Sequence, residues 1–418
     1  MVRQLTEKMT ILHLVSHPVQ YYTPLYARIA ADTDVNFRVL YCSKKGLERA
    51  IDVEFGVDIQ WDVPLLDGYR YEFLKNHAWK ESLDGLFGLL NWGVIKEIRQ
   101  APKDSVVWIH GWNYATHLLA LFAAKYYGHR VFMRGDNAAV IENNLPDSLK
   151  KRFKKWWLGG VLFPRIDTFL AVGKQNKAFF ELMGVAENRI TFAPHAIDNQ
   201  RFMNFSAQKK SHKNAIRQSL GIPFSKKVIV YSGKYIDKKR PMDLLKAVTL
   251  LPNPDAVFVV FVGDGTLRSE MERFISVHNL QKNVLLTGFV NQSQMPNYYL
   301  AADIYVMCSG LHETWGLSTN EAMCFGLPLI LSDLVGCADD LVDGNGAVYP
   351  SGDCEKLATN IENLINLPDT EFAKLGQQSL KIVQKYSYEN IAQAVKNAAQ
   401  NEHLRRRFPI SLRILSLF

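Results

Sequence analysis

Ile304-Tyr-Val-Met307, followed after a five-residue loop by Glu313-Thr-Trp-Gly-Leu-Ser-Thr-Asn-Glu321-Ala-Met323, decides the fold. The first run is short, apolar and β-rich, and the second has the pattern of a helix entered through a polar turn, with Ser318 or Thr319 as the expected cap. The same strand, loop and helix sequence repeats on both sides of it. Before it stand Lys227–Ser232, Ala256–Val262 and Val284–Thr287, and after it Pro328–Ser332 and Ala347–Tyr349. Further upstream come Thr10–Val15, Asn36–Tyr41, Ser105–His110, Arg130–Arg134, Thr168–Val172 and Ile190–Ala193, separated by helix-length stretches such as Tyr22–Ala31 and Tyr114–Tyr127. Strict alternation of this kind predicts βαβ units around parallel sheets, an α/β fold.

Asn204–Asn214 is polar and basic without apolar periodicity, which reads as a linker. It divides the chain into residues 1–204 and 205–390, two Rossmann-like domains, with a C-terminal helix and tail over 391–418. Ligands of such sheets bind at the C-terminal ends of the strands, so two of them facing each other enclose a cleft.

The chain has 418 residues, 48% hydrophobic and 22% charged, which suits two or three globular domains and excludes wholesale disorder. Its net charge of +8 is spread over both halves, against the concentrated basic face of a nucleic-acid platform. Cys42, Cys308, Cys324, Cys337 and Cys354 form no C-x-x-C pair, which fits a reducing compartment and argues against zinc. The start of the chain lacks the order of a signal peptide, and Val106–Ala124, though uncharged, is broken by His110, Gly111, Asn113 and His117. No membrane crossing is expected, and the expected location is cytoplasmic.

Several strand ends carry groups suited to chemistry. Glu313 lies before a helix and Glu321 about one turn inside it, where carboxylates can accept hydrogen bonds from vicinal hydroxyls, or simply favour the helix dipole. Gly233-Lys234-Tyr-Ile-Asp-Lys238-Lys239-Arg240 follows a strand and could neutralise phosphates, or be a solvated basic loop. Val262-Gly263-Asp-Gly265 closes the next strand. Ser16-His17-Pro18-Val19-Gln20 ends the first strand without G-x-G-x-x-G, which speaks against a nicotinamide or flavin site. His110 should point into the cleft, with Arg134 and Asp136 ending the next strand in the same way, on the acceptor side. Asp32-Thr-Asp34 has a metal-nucleotide spacing but lies at the wrong end of the sheet, and reads as a solvated turn. Leu149, Phe153, Trp156 and Trp157 share a helical face among Lys150, Lys151, Arg152, Lys154 and Lys155. That segment suits an anionic bilayer surface, and equally a core-facing helix with a basic back. The tail Arg405-Arg-Arg407-Phe408 to Phe418 has a similar character.

Taken together, the second half resembles the GT-B glycosyltransferases, specifically the family-4-like retaining enzymes (glycosyl transferases group 1). The resemblance rests on Gly233-Lys234 with Lys239, Val262-Gly263-Asp264-Gly265-Thr-Leu267, Gly288-Phe289-Val290, Ala302-Asp303, Glu313-x7-Glu321-Ala322-Met323, Gly326-Leu-Pro328 and Gly344 to Gly346. The first half matches more loosely, at Val107-Trp-Ile-His110-Gly111 and Pro194-His195-Ala-Ile197-Asp198. There the family usually has Asn-Gly after the proline, and a glycine pair after the first strand is missing.

The resemblance implies that Glu321 binds the donor ribose and that Lys234 and Lys239 bind the diphosphate, with Lys238 and Arg240 as near competitors. Glu313 would contact the donor sugar, the backbone of Trp315, Gly316 and Leu317 would meet sugar and phosphate, and His110 would approach the reacting sugar. It implies no metal and no cofactor, with cations stabilising the departing diphosphate and retention arising from front-face attack. The expected activity is transfer of a sugar from a nucleotide-diphosphate donor to a glycan or lipid-linked acceptor in surface polysaccharide synthesis, at most peripherally on the inner face of the plasma membrane. A GT-B-fold nucleotide-sugar epimerase and a non-catalytic sugar-nucleotide-binding protein are the alternatives.

Overall fold

Strands of a parallel sheet are covered by helices on both faces, so their sequences become continuous apolar runs rather than alternating ones. The computed structural model, which describes residues 8–47, 50–52, 57–59 and 62–401, contains two such sheets. The first is built from β1 (Met9–Val15), β2 (Val35–Tyr41), β5 (Arg70–Phe73), β6 (Val106–His110), β7 (Arg130–Gly135), β8 (Thr168–Ala171) and β9 (Ile190–Phe192). A separate hairpin pairs β3 (Ala50–Asp52) with β4 (Val57–Ile59). The second sheet is built from β10 (Lys227–Ser232), β11 (Val257–Val262), β12 (Val284–Leu286), β13 (Ile304–Met307), β14 (Leu329–Ser332) and β15 (Gly346–Tyr349).

Strand orders are β5-β2-β1-β6-β7-β8-β9 and β12-β11-β10-β13-β14-β15, parallel throughout. All six residues of β11 are buried, as a central run of Val and Phe requires. In each sheet the order reverses beside its first strand, between β1 and β6 and between β10 and β13. These switch points open a crevice between crossovers that leave on opposite faces. The segments after β1, β10 and β13 line it from both domains.

The expected strands agree with the observed ones to within a residue or two. β5 went unread because three of its four side chains are exposed, leaving no apolar run. Asn204–Asn214 is not an extended linker. It is helical, in Asn199–Lys209, a 3₁₀ turn Lys210–His212 and Lys213–Ser219. The Asp198 carboxylate caps the first of these by accepting from Arg201 N at 3.0 Å, Phe202 is the residue it buries, and Lys213 and Arg217 pair with Asp303.

The last described helix, Tyr388–Gln400, crosses back to the first domain, where Tyr388, Ile391, Val395, Ala398 and Ala399 join the core around Ile11, Tyr26 and Trp108. Lys396 binds Asp32 and Asp34 at 2.8 and 2.9 Å, so the Asp32-Thr-Asp34 turn is a clamp on this helix rather than merely solvated. The Arg405–Phe418 tail lies outside the described residues. No helix among the described residues is long and apolar enough to cross a membrane, and Val106–Ala124 divides into β6, a loop and the helix Ala115–Tyr127. All five cysteines are free thiols.

Candidate active site

β10 ends in the turn Gly233–Lys234, which is fixed to the sheet from below. Tyr231 Oη donates to the carbonyls of Lys234 and Lys239 at 3.2 and 3.3 Å, and Tyr235 Oη donates to Phe261 O at 2.7 Å. The loop therefore holds its shape while Gly233, Lys234, Lys238 and Lys239 face a cavity of about 700 Å³ between the domains. Arg240 does not join them. Its backbone is left-handed (φ 50°), and its guanidinium bonds Asp243 at 2.6 and 3.2 Å at the start of the helix Pro241–Thr249.

After β13 the chain carries Ser309, whose Oγ donates to Glu313 Oε2 at 3.0 Å. The same carboxylate is ion-paired with Lys239. The carbonyls of Glu313 and Trp315 accept from Gly336 N and Cys337 N at 2.9 and 3.2 Å, which ties this loop to the helix Ala338–Leu341. Gly316, at φ 97°, opens the helix Leu317–Met323, a backbone value that favours glycine over any side chain. Ser318 and Thr319 are therefore inside the first turn rather than capping it, and Ser318 Oγ is bonded instead to Tyr305 Oη at 2.7 Å. Leu317 and Ser318 line the cavity, while the Trp315 ring turns away toward the first domain.

Glu321 closes the far end of the cavity. It is buried, with Tyr299 Oη donating to Oε2 at 2.7 Å and Gln292 Nε2 to Oε1 at 3.4 Å. Gln292 in turn accepts from Arg201 at 2.9 Å. Desolvation by burial raises the carboxyl pKa, against the opposing pull of Tyr299, Gln292 and Arg201. Tyr299, Gln292 and Arg201 were not singled out from sequence. Gln292 follows Gly288-Phe289-Val290 closely enough to have been suspected, but Arg201 arrives only through the crossover helix. Gly263, Phe289, Val290 and Met295 complete this wall.

The first domain contributes Gln20, Tyr21, Pro24, Val63 and Pro64. The segment after β1, which lacks a glycine pair, presents side chains to the cavity here. His110 is not among the lining residues. It stands beside that wall with Nε2 3.4 Å from Tyr22 Oη and its ring 6.3 Å from that of His13. Burial, then the fields of His13 and Arg134, hold its pKa well below the usual value, so it is neutral.

Arg134, expected on the acceptor side, is 1% exposed and donates to the carbonyls of Ala193 and Pro194 at 2.7 and 2.9 Å. Both terminal nitrogens of the guanidinium are thus tied to the backbone at residues 193 and 194. Asp136 is exposed and accepts from Thr314 Oγ1 of the opposite domain at 3.0 Å. Among the described residues no group of three His, Cys, Asp or Glu side chains is placed to hold a metal ion.

Residues 212–382 match the family model of the glycosyl transferases group 1. The chain is 26% identical over 217 residues to the GDP-mannose-dependent monoacylated alpha-(1-6)-phosphatidylinositol monomannoside mannosyltransferase of Corynebacterium glutamicum, covering 50% of this chain and 55% of the relative. It is 27% identical over 240 residues to the Escherichia coli UDP-Gal:alpha-D-GlcNAc-diphosphoundecaprenol alpha-1,3-galactosyltransferase, covering 56% and 59%. It spans about half the length of the curated relatives it matches. Among solved structures, Anabaena HepE in complex with UDP and glucose superposes with a TM-score of 0.68 at 17% identity, over 93% of this chain and 98% of that one. A glycosyltransferase from Rickettsia africae gives 0.70 at 14% identity, over 96% and 100%. The fold is GT-B.

Proposed function

We propose, from a second domain that belongs to the glycosyl transferases group 1 family, that this chain transfers a sugar from a nucleotide-diphosphate donor to a glycan or lipid-linked acceptor with retention of configuration. The observation that carries the reading is the convergence of Lys234, Lys239 and Glu321 on one cavity at the switch point of the second sheet. Cations at one end and a buried carboxylate at the other match a diphosphate and a ribose diol. Two relatives named above bear names specifying GDP-mannose and UDP-Gal donors, and HepE was solved with UDP, which supports a nucleotide donor.

In this reading Lys234 and Lys239 stabilise the charge that grows on the diphosphate as the bond to the sugar anomeric carbon breaks. Glu321 holds the ribose and Glu313 the sugar hydroxyls, with the backbone of Trp315, Gly316 and Leu317 against sugar and phosphate. His110, kept neutral, offers a hydrogen bond without adding charge. The acceptor hydroxyl attacks from the face the diphosphate leaves, and a phosphate oxygen takes its proton, so the new bond keeps the donor configuration.

The helix Leu149–Trp156 supports a membrane-bound acceptor. It buries no side chain, and Leu149, Phe153 and Trp156 are 84%, 61% and 59% exposed. The core-facing alternative therefore fails for these three, while Trp157 packs partly into the domain as the helix ends. Exposed Lys150 and Lys155 flank the apolar face, a combination that fits the inner, anionic leaflet of a plasma membrane.

Incubation with a panel of nucleotide sugars, with and without glycan and lipid-diphosphate acceptors, tests the reading. Acceptor-dependent donor consumption, with the donor anomeric configuration kept in the product by NMR coupling, is expected. Full donor consumption without acceptor would favour an epimerase, and binding without turnover a non-catalytic protein.

A further inference from the structure

The loop that carries Glu313 is gripped by the opposite domain through the side chains of Thr314 and Trp315. Asp136, just after β7, accepts from Thr314 Oγ1 at 3.0 Å. Gly173, just after β8, lies so close to the Trp315 ring that a Cβ there would fall 2.3 Å from Cζ3 and 2.8 Å from Asp340 Oδ2. Asp340 itself accepts from the backbone N–H of Lys174 at 2.9 Å, and its other oxygen accepts from Tyr386 Oη at 3.0 Å. Beside it, Gln175 Nε2 donates to Asp339 at 2.5 Å. The contacts are thus doubled, on the loop itself and on the short helix behind it.

Within the second domain these points form one unit. Gly336 N and Cys337 N hold the carbonyls of Glu313 and Trp315, and the Trp315 indole N–H donates to Asn320 Oδ1 at 2.9 Å. Asn320 directly precedes Glu321 in the same helix. Pressure on the Trp315 ring therefore reaches both carboxylates of the site, one through the loop and the other through the helix.

We infer that Gly173 and Asp136 are positioning residues: by packing on Trp315 and Thr314 the first domain sets the loop of Glu313 and the helix of Glu321. The inference rests on the sugar-transfer reading for its effect on rate, but not for its effect on structure. Gly173 is extended, with φ −177°, so backbone conformation does not demand glycine there. Contact with Trp315 and Asp340 does. A methyl group at 173 would push the ring, and with it the loop, out of this packing.

The test uses the full chain with Gly173→Ala, Asp136→Ala and Asp136→Asn, the last keeping the acceptor oxygen. Amide hydrogen exchange at residues 313–317 is read beside kcat, KM and calorimetric affinity for UDP, GDP, ADP and CDP. Faster exchange is expected in Gly173→Ala and Asp136→Ala, with kcat falling by about 10²-fold in Gly173→Ala because a displacement of about 1 Å is enough. Nucleoside diphosphate affinity is expected to fall in Gly173→Ala, where the displaced Trp315 ring shifts the helix of Glu321, and Asp136→Asn is expected to match wild-type exchange and kcat. A melting temperature near wild type separates misplacement from unfolding. Exchange at 313–317 equal to wild type in both Gly173→Ala and Asp136→Ala overturns the inference, whatever the activity. Faster exchange in the two variants, when the wild-type chain itself transfers no sugar, supports the positioning and removes the functional reading instead.

Discussion

The ammonium of Lys239 is ion-paired with the carboxylate of Glu313, 74 residues further along the chain. The side chains are 20% and 12% exposed, so each group is partly desolvated and depends on the other for its charge balance. In the proposed reaction Lys239 binds diphosphate and Glu313 binds sugar. In that reading the pair also sets how diphosphate and sugar lie relative to each other.

The pair predicts opposite effects on two ligands. Glu313→Gln frees Lys239, so calorimetry should show the nucleoside diphosphate binding at least as tightly as to wild type, while the intact nucleotide sugar binds more weakly and transfer falls by about 10²-fold. Equal weakening of both ligands would remove the assignment of Glu313 to the sugar.

Glu321→Gln should weaken the nucleoside diphosphate itself while stabilising the fold. Burial raises the folded-state pKa of Glu321, so its contribution is most favourable below the unfolded value and is lost as pH rises through the folded one. Wild type then holds a desolvated carboxylate at neutral pH that glutamine does not. The variant should melt higher than wild type at pH 8, and the gap should close toward pH 4. A gap independent of pH would contradict this.

The histidines of the first domain predict acid sensitivity. His13 and His117 are lowered to about 3, mainly by burial. A histidine with a depressed folded pKa gives stability that is present above about 6.5 and lost as pH falls toward the folded value, at about 1.4 kcal/mol per pH unit for each. Urea unfolding between pH 6 and 4 should show a slope of at least two protons, and His117→Gln should reduce it by one. A flat profile would mean these rings are protonated in the fold.

Co-sedimentation with anionic vesicles tests the exposed helix. Binding should fall with added salt, since each lysine near a charged leaflet contributes about 1 kcal/mol. Phe153→Ser with Trp156→Ser should reduce it again without changing the melting temperature, because neither ring is buried. Indifference to anionic vesicles at low salt would leave a soluble acceptor.

The second domain was legible in the sequence because its strands are buried on both faces and its site residues sit at strand ends, where order along the chain fixes position. Lys234, Lys239, Gly263 and Glu321 reach one cavity for that reason. Residues whose roles depend on partners distant along the chain were not legible. Arg134 looked like a cleft residue until the carbonyls of Ala193 and Pro194 were seen to surround it, and nothing near Asp136 announces Thr314. The helices over 199–219 were missed because Phe202 and Arg217 are the residues they bury. The cap at Gly316 replaced the expected serine or threonine because a positive φ was needed at that turn.

The central claim is that the cavity between the sheets is a nucleotide-diphosphate site, and calorimetric titration of wild type, Lys234→Ala and Glu321→Gln with UDP, GDP, ADP and CDP tests it most directly. The account predicts one-to-one binding of at least one of these to wild type, weakened by about tenfold or more in each variant as a charge-assisted contact is lost. Failure of wild type to bind any of them, or equal affinity in all three proteins, would contradict it.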